Sequence, residues 1–278
     1  MTNSDEGTDP DESVNWRGEF DEVGFNEGSS FKRNDNEPLF DEQFDSALAR
    51  TDFGIIGIDE MIRGGFPENS VICIIGPPGT GKSIMSLEFL FEGIEHGENG
   101  LYISVEESSD SIISTAEEQS LEISQNLRGG NIGILDMNPM ETANSLDKIL
   151  EDLPEIVDEF GAGRLVVDSA SVIEMIYNSQ SERRPKMIEF INCLKEIDTT
   201  TVLTSESSNN ENYQSRFGVL EYLCDLVIVL FYVRPHDFRE TRLALEIMKI
   251  RDTLFTREIK PYEVTDNGIE IYRQANIF

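Results

Sequence analysis

From about residue 49 onward, short runs of consecutive apolar residues alternate with longer stretches in which apolar residues recur every three or four positions. The first pattern is typical of buried strands, and the second of helices that pack one face against a core. Strands are predicted over residues 71–75, 100–105, 131–135, 164–168, 200–204, 226–233 and 243–249, and helices over residues 83–96, 110–119, 145–160 and 185–197. Strands that alternate with crossover helices predict an α/β fold, with a mostly parallel twisted sheet covered by helices on both faces.

The two ends of the chain depart from this pattern. Two short strands, around residues 263–264 and 269–271, flank Asp266-Asn267-Gly268, and Asn-Gly is a strong hairpin signal, so a C-terminal β-hairpin is predicted. Residues 1–48 are rich in Asp, Glu, Asn, Gly and Ser and show no apolar period. This composition predicts a largely disordered acidic tail before one domain that spans residues 49–278.

The segment between strand 71–75 and helix 83–96 carries a phosphate-binding pattern. It reads Gly76, Pro77, Pro78, Gly79, Thr80, Gly81, Lys82, Ser83, which matches G-x-x-x-x-G-K-[ST]. The glycines allow the backbone to turn its N–H groups inward, and the helix that follows points its positive end at an anion. Lys82 is expected to reach the β- and γ-phosphates of ATP, and the Ser83 hydroxyl is a hard ligand suited to Mg²⁺.

Carboxylates follow two of the other predicted strands. Asp168 ends strand 164–168, where the carboxyl ends of parallel strands meet, and we expect it to be the second Mg²⁺ ligand; the alternative is a cap of the following turn. Glu106 and Glu107 follow strand 100–105, which we expect to lie beside strand 71–75. A carboxylate in that position can orient a water molecule for attack on the γ-phosphate.

Charge and cysteine content indicate which partners and which cellular environment the protein is suited to. The net charge is −32, which disfavours nucleic acid as a partner because phosphates need Lys and Arg. Most basic residues are Arg, and an acidic, Lys-poor surface favours a high-salt cytoplasm over an ordinary acidic protein with an acidic tail. Cys73, Cys193 and Cys224 show no CxxC spacing, which predicts buried, reduced thiols. No secretory signal or membrane-length apolar run is present, so a cytoplasmic location without membrane contact is expected.

Several short segments beyond residue 49 form one shared pattern. The most specific is GIIGIDEMIRGGFPENS at residues 54–70, which leads into the phosphate loop. It is followed by YISVEES at 102–108, VDS at 167–169, TSE at 204–206, FGVLEYLCD at 217–225, LEIMKIR at 245–251 and PYEVT at 261–265. Together these segments resemble the KaiC family within the RecA/RadA group of P-loop ATPases. The clock-type KaiC has two tandem copies of the domain and this chain has one, so the resemblance carries over no autokinase activity and no clock role.

The resemblance implies roles for two residue pairs. Glu106 and Glu107 match the carboxylate pair that activates water. Lys249 and Arg251 resemble a Lys-x-Arg pair that a neighbouring subunit inserts toward the γ-phosphate; being two apart on a strand, they share a face. The alternative is two solvent-facing basic residues on an edge strand. The trans role implies active sites at subunit interfaces and a homo-oligomer, with a hexameric ring expected from the family. The strand end at 204–206 is a weaker candidate for sensing the γ-phosphate.

The site residues predict an Mg²⁺-dependent ATPase, and the resemblance implies slow turnover, a regulatory or signalling role and an unidentified protein partner. One alternative is a nucleotide-gated assembly module with little turnover. Another is a RadA-like DNA-dependent ATPase, which the acidic charge and the absence of Lys and Arg between residues 205 and 216 disfavour. A nucleotide kinase needs an Arg-rich lid, for which Arg183-Arg184 is the sole candidate.

Overall fold

The computed structural model of the chain describes residues 49–137, 146–208, 213–234 and 241–274. The predicted acidic tail over residues 1–48 lies outside the described residues. The strands are β1 Arg50–Thr51, β2 Phe66–Pro67, β3 Val71–Gly76, β4 Asn99–Ser104, β5 Ile132–Asp136, β6 Ala162–Asp168, β7 Thr200–Glu206, β8 Leu226–Val233, β9 Arg242–Ile250, β10 Lys260–Thr265 and β11 Gly268–Ile271. The helices are α1 Ile56–Ile62, α2 Lys82–Glu95, α3 Ser109–Glu118, α4 Ile123–Gly129, α5 Leu146–Phe160, α6 Ala170–Met175, α7 Gln180–Glu196 and α8 Leu220–Leu223.

The described strands form one large sheet and a small one. The large sheet has nine strands in the order β11-β10-β9-β8-β3-β7-β6-β4-β5, and β1 pairs with β2 in the small sheet. Strands β3 to β8 are parallel, whereas β9, β10 and β11 are antiparallel. The predicted α/β fold with a mostly parallel sheet is confirmed. The pairing of Thr265 with Gly268 across the β10–β11 turn also confirms the predicted C-terminal hairpin.

Strand β3 is an uninterrupted apolar run because helices cover both of its faces. Val71, Cys73 and Ile75 belong to the core on one side, which is completed by α5 and α7. Ile72 and Ile74 belong to the core on the other side, where α1, α2 and α3 contribute. Each fully buried aliphatic side chain of this kind stabilises the fold by roughly 1.5–3 kcal/mol. The three-layer packing fixes the carboxyl end of β3, and with it the start of the phosphate loop.

The structure contradicts the expected position of the strand that precedes Glu106 and Glu107. That strand, β4, lies between β6 and β5, and two strands, β7 and β6, separate it from β3. Consecutive strands of a parallel sheet are often spatial neighbours, but a crossover can also carry the chain past positions that later strands fill. The prediction was wrong about adjacency, although β4 still ends at the same edge of the sheet as β3.

Helix boundaries differ most from prediction at α7. The helix begins at Gln180 rather than Pro185, because Ser179 caps it and accepts a hydrogen bond from the backbone N–H of Glu182 at 3.3 Å. Pro185 is therefore inside the helix. The short elements α1, α4, α6, α8, β1 and β2 were not predicted, since segments of two to seven residues show too little periodicity.

Two findings bear on the predictions from composition. All three cysteines are free, and Cys73 and Cys224 are buried, but Cys193 is only partly buried, so full burial was wrong for that residue. Within the described ranges, no helix combines the length and the apolar character that crossing a membrane requires.

Candidate functional site

The predicted phosphate-binding segment folds as a loop between β3 and α2. Strand β3 ends at Gly76 and α2 begins at Lys82. Gly79 and Gly81 have φ angles of 78° and 84°, a left-handed conformation that favours glycine. The unpaired N–H groups at the start of α2 face this loop and favour an anion there. The local geometry is thus the strand–loop–helix arrangement that the sequence motif requires.

Two tyrosines, one in β8 and one in β10, hold the phosphate loop by hydrogen bonds to its backbone. The hydroxyl of Tyr262 in β10 donates to the carbonyl oxygen of Thr80 at 2.5 Å, and both residues are buried. The hydroxyl of Tyr232 in β8 donates to the carbonyl oxygen of Pro78 at 2.9 Å. These two hydrogen bonds hold the loop backbone in place at Pro78 and at Thr80.

Ser83 and Asp168, the two predicted metal ligands, are in direct contact. Ser83 Oγ donates to Asp168 Oδ2 at 2.7 Å. The carboxylate also accepts hydrogen bonds from the hydroxyl of Tyr102, at 2.5 Å, and from that of Thr204. Burial raises the pKa of Tyr102, and the adjacent Asp168 charge adds to this, so the phenol remains a donor. A hydroxyl and a carboxylate held together are hard oxygen ligands that fit Mg²⁺.

Lys82 lies in the loop that it is predicted to serve. Its Nζ atom donates to the carbonyl oxygens of Gly76 at 2.9 Å and Pro77 at 3.1 Å. Burial lowers the pKa of Lys82 from its ordinary value, while the carboxylates of Asp168, Glu206 and Glu106 act in the opposite direction. An anion bound in this loop would therefore compensate the desolvation of the ammonium group.

A cavity of about 440 Å³ opens at this edge of the sheet. Its lining includes Lys82, Ser83, Asp168, Glu106 and Glu107, so the structure brings the predicted phosphate, metal and water-activating residues together. A volume of this size is in the range of small-ligand sites, which is roughly 300–1,000 Å³.

The two glutamates are held by serines on different elements. Ser169 Oγ, directly after β6, donates to a carboxylate oxygen of Glu106. Ser111 Oγ in the first turn of α3 donates to Glu107 Oε2 at 2.6 Å. Both glutamates are exposed to solvent at the cavity mouth, which is where an attacking water molecule would arrive.

Lys249 and Arg251 lie away from this cavity. Lys249 lies in the part of β9 that pairs with the amino-terminal end of β8, and Arg251 directly follows β9, whereas the phosphate loop follows the carboxyl end of β3. Lys249 Nζ donates to the carbonyl oxygens of Cys224, Glu221 and Tyr222 at 2.6, 3.0 and 3.3 Å.

Arg251 ion-pairs with Asp225 at 2.9 Å and donates to the carbonyl oxygen of Tyr222, which Lys249 also contacts. The alternative of an edge strand is wrong, because β9 lies between β8 and β10. Neither cation can serve its own chain's phosphate loop in this arrangement.

Sequence reasoning missed the residues that support the site. Tyr102, Tyr232 and Tyr262 each hydrogen-bond to it from strands that read as ordinary apolar or mixed runs. One signal in the sequence could have identified them: a tyrosine stands among aliphatic residues in a strand. A buried tyrosine hydroxyl needs a hydrogen-bond partner, so such a residue points to a polar contact. Which group each tyrosine contacts depends on the order of the strands in the sheet, and the sequence pattern does not determine that order.

The fold and the site together define a P-loop nucleoside triphosphate-binding protein of the α/β class. Comparison with protein-family models matches residues 51–276 to the family described as "ATPase: KaiC". The chain belongs to the KaiC family of ATPases, and ATP binding with ATPase activity is the function of this family.

Individual relatives agree with the family assignment. The chain is 30% identical over 233 residues to the circadian clock oscillator protein KaiC of Synechococcus elongatus, a match that covers 81% of this chain and 44% of the relative. It is 31% identical to circadian clock oscillator protein KaiC 1 of Synechocystis, covering 78% of this chain and 43% of the relative. The chain thus spans less than half the length of these relatives.

A solved structure matches nearly end to end. The crystal structure of a KaiC-like protein from the hyperthermophilic archaeon Pyrococcus horikoshii superposes with a TM-score of 0.71 at 30% identity, covering 81% of this chain and 99% of that one. The likeness supports a single KaiC-like domain with the RecA-like core that the sequence predicts.

Proposed function

We propose that this chain hydrolyses Mg²⁺–ATP in the cavity at the carboxyl edge of its sheet, with cations supplied by a neighbouring copy. The observation that carries the proposal is the contact between Ser83 and Asp168, beside Lys82, in a cavity that Glu106 and Glu107 also line. Phosphate-binding, metal-binding and water-orienting groups are thereby within one site, as hydrolysis of a phosphoanhydride requires.

Each group has a distinct task in this proposal. The loop N–H groups and Lys82 bind the β- and γ-phosphates, and Ser83 with Asp168 would hold Mg²⁺, which neutralises charge on the phosphate oxygens when bound. Glu106 or Glu107 orients a water molecule and accepts its proton as the water oxygen bonds to the γ-phosphorus. The bond from that phosphorus to the bridging oxygen breaks, and ADP and inorganic phosphate leave.

The position of Lys249 and Arg251 favours an oligomer. Four carboxylates line the cavity against one lysine, so transition-state charge needs further cations. These two residues cannot reach their own chain's loop, but a neighbouring copy could present them, as an arginine finger is presented in trans. A homo-oligomeric ring satisfies this geometry. Because the matched relatives are circadian clock oscillator proteins, we also propose a regulatory use of the ATP cycle.

The glutamate pair provides the test of turnover. Glu106→Gln/Glu107→Gln keeps the size of both side chains but removes the proton acceptors, and it should reduce phosphate release by about 100-fold or more. Phosphate release is measured in molar KCl, alongside Mg²⁺–ATP binding, which should be retained. Equal turnover by the variant and the wild-type chain would contradict the proposal and favour a nucleotide-gated assembly module.

A further inference from the structure

The nucleotide cavity contains little positive charge of its own. Glu106, Glu107, Asp168 and Glu206 line it, against Lys82 as the one basic residue of the described lining. ATP adds its own negative charges, and these are greatest at the γ-phosphate. A cation near that end of the cavity would therefore affect binding of a triphosphate much more than binding of a diphosphate.

Glu206 lines the cavity at the start of the phosphate loop. It is the last residue of β7, where it is the register partner of Gly76, the first glycine of the phosphate loop. Its backbone N–H is held by Ser171 Oγ at 2.7 Å, which fixes the strand end. Glu206 lines the cavity together with Lys82, the residue proposed to bind the β- and γ-phosphates, so we place the γ-phosphate beside this strand end.

Arg216 contacts this carboxylate from outside the cavity. Its Nη1 atom ion-pairs with Glu206 Oε2, and the side chain is 40% exposed. Among the residues that the structure describes, this is the one ion pair of Arg216. A guanidinium has five N–H donors in a planar fork, so a group bound on one side to a carboxylate can still bind a phosphate oxygen on another.

We propose that Arg216 is a γ-phosphate ligand supplied by the same chain, positioned by Glu206, and that it makes the cavity prefer ATP to ADP. The inference rests on the proposed binding of ATP in this cavity. The guanidinium keeps its contact with Glu206 and directs a second N–H at the γ-phosphate, a charge-assisted hydrogen bond. ADP offers no oxygen at that position, so the interaction is specific to the triphosphate.

The neighbouring Arg183 cannot perform this task. It donates to the backbone carbonyls of Glu174 at 2.9 Å and Tyr177 at 2.6 Å. Its guanidinium also stacks on the ring of Phe217 at 3.6 Å from the centroid. These contacts direct Arg183 into the protein, whereas Arg216 lies at the surface beside the cavity.

The test compares the affinity for ADP with that for a slowly hydrolysed ATP analogue, each with Mg²⁺ in molar KCl, on the full chain. Arg216→Gln should weaken binding of the analogue about tenfold, the effect of losing one charge-assisted hydrogen bond, and leave the ADP affinity unchanged. Arg128→Gln, which removes the same charge from the exposed end of α4, should change neither affinity.

Two further variants decide the interpretation. Glu206→Gln/Arg216→Gln should retain the weakened analogue binding; wild-type binding by this double variant would show that Arg216 only neutralises Glu206, and would overturn the inference. An equal loss for both nucleotides in Arg216→Gln, or no loss, would also overturn it. Lys82→Ala should weaken both nucleotides, and unchanged affinity for both would instead refute the proposed ATP site itself.

Discussion

Glu174 in α6 is an acidic residue whose side chain is buried inside the protein. Its side chain is 0% exposed, and neither oxygen has a partner among the described residues. Burial raises its pKa from 4.5 to about 8; Arg183 opposes the shift and Glu221 adds to it. The folded protein therefore holds a proton on Glu174 at neutral pH, which the unfolded chain releases.

This proton gives a prediction about stability and pH. Between 4.5 and about 8 the folded state binds a proton that the unfolded state lacks, so this group's stabilising contribution is complete below 4.5 and is lost as pH rises through about 8. Glu174→Gln removes the titration. The free energy of unfolding of the wild type, relative to this variant, should fall by up to about 1.4 kcal/mol per pH unit across the range.

Chemical denaturation at several pH values measures this difference. Glu118→Gln, at an exposed position of α3, should follow the wild-type pH dependence and serves as the control. Parallel curves for the wild type and Glu174→Gln would show that Glu174 keeps an ordinary pKa in the folded protein.

At the scale of elements, local signals predicted some features well and strand order poorly. The run of residues 71–83 identified β3, the loop and α2, because burial on two faces and a glycine-rich anion loop both leave local patterns. The ends of β6 and β4 located Asp168 and the Glu106–Glu107 pair for the same reason. The separation of β4 from β3 by two strands could not be predicted, because strand order results from long-range packing.

The support of the phosphate loop by β10 is likewise a long-range effect and can be tested. Tyr262→Phe removes the donor to the buried carbonyl oxygen of Thr80. An unsatisfied buried acceptor costs about 1–3 kcal/mol, so the free energy of unfolding should fall by that amount. The affinity for Mg²⁺–ATP should also fall, since the phosphate loop loses the hydrogen bond that holds its backbone at Thr80.

Tyr232→Phe is the matched control for this element. Tyr232 is 37% exposed, so water can replace its hydrogen bond to Pro78, and the variant should lose less stability. Equal losses of unfolding free energy in Tyr262→Phe and Tyr232→Phe would contradict a larger contribution from the buried hydrogen bond between Tyr262 and Thr80. Denaturation and equilibrium nucleotide binding provide the two readouts.

At the scale of the whole molecule, the cavity and the Lys249–Arg251 pair lie at opposite edges of one sheet. Chains that pack side by side can complete each other's sites in this arrangement. The net charge of −32 opposes such packing, and molar salt, which reduces the screening length to about 3 Å, weakens the repulsion. We propose that assembly and turnover are therefore strongest at high salt.

Subunit mixing tests the shared site. Lys82→Ala chains lack the lysine that binds the phosphates but keep Lys249 and Arg251. Lys249→Gln/Arg251→Gln chains keep Lys82 but lack the two cations proposed to act on a neighbouring site. Mixed in molar KCl, the two should hydrolyse ATP faster than the sum of their separate rates, because a Lys82→Ala chain supplies cations to an intact loop. The glutamines retain donors for the carbonyls that Lys249 and Arg251 contact, which limits structural damage.

The mass of the assembly and the rate of phosphate release are measured together. A mixture that co-assembles but shows only the summed rates would contradict catalysis in trans. A chain that stays monomeric with Mg²⁺–ATP in molar KCl would contradict the oligomeric site altogether.

Equilibrium binding of Mg²⁺–ATP to the wild-type chain and to Lys82→Ala in molar KCl is the decisive experiment for the nucleotide site. The wild type should bind saturably, and the variant should bind at least about tenfold more weakly, because Lys82 is the ammonium group of the phosphate loop. Failure of the wild type to bind, or indistinguishable binding by the two chains, would contradict the claim that this loop holds the nucleotide.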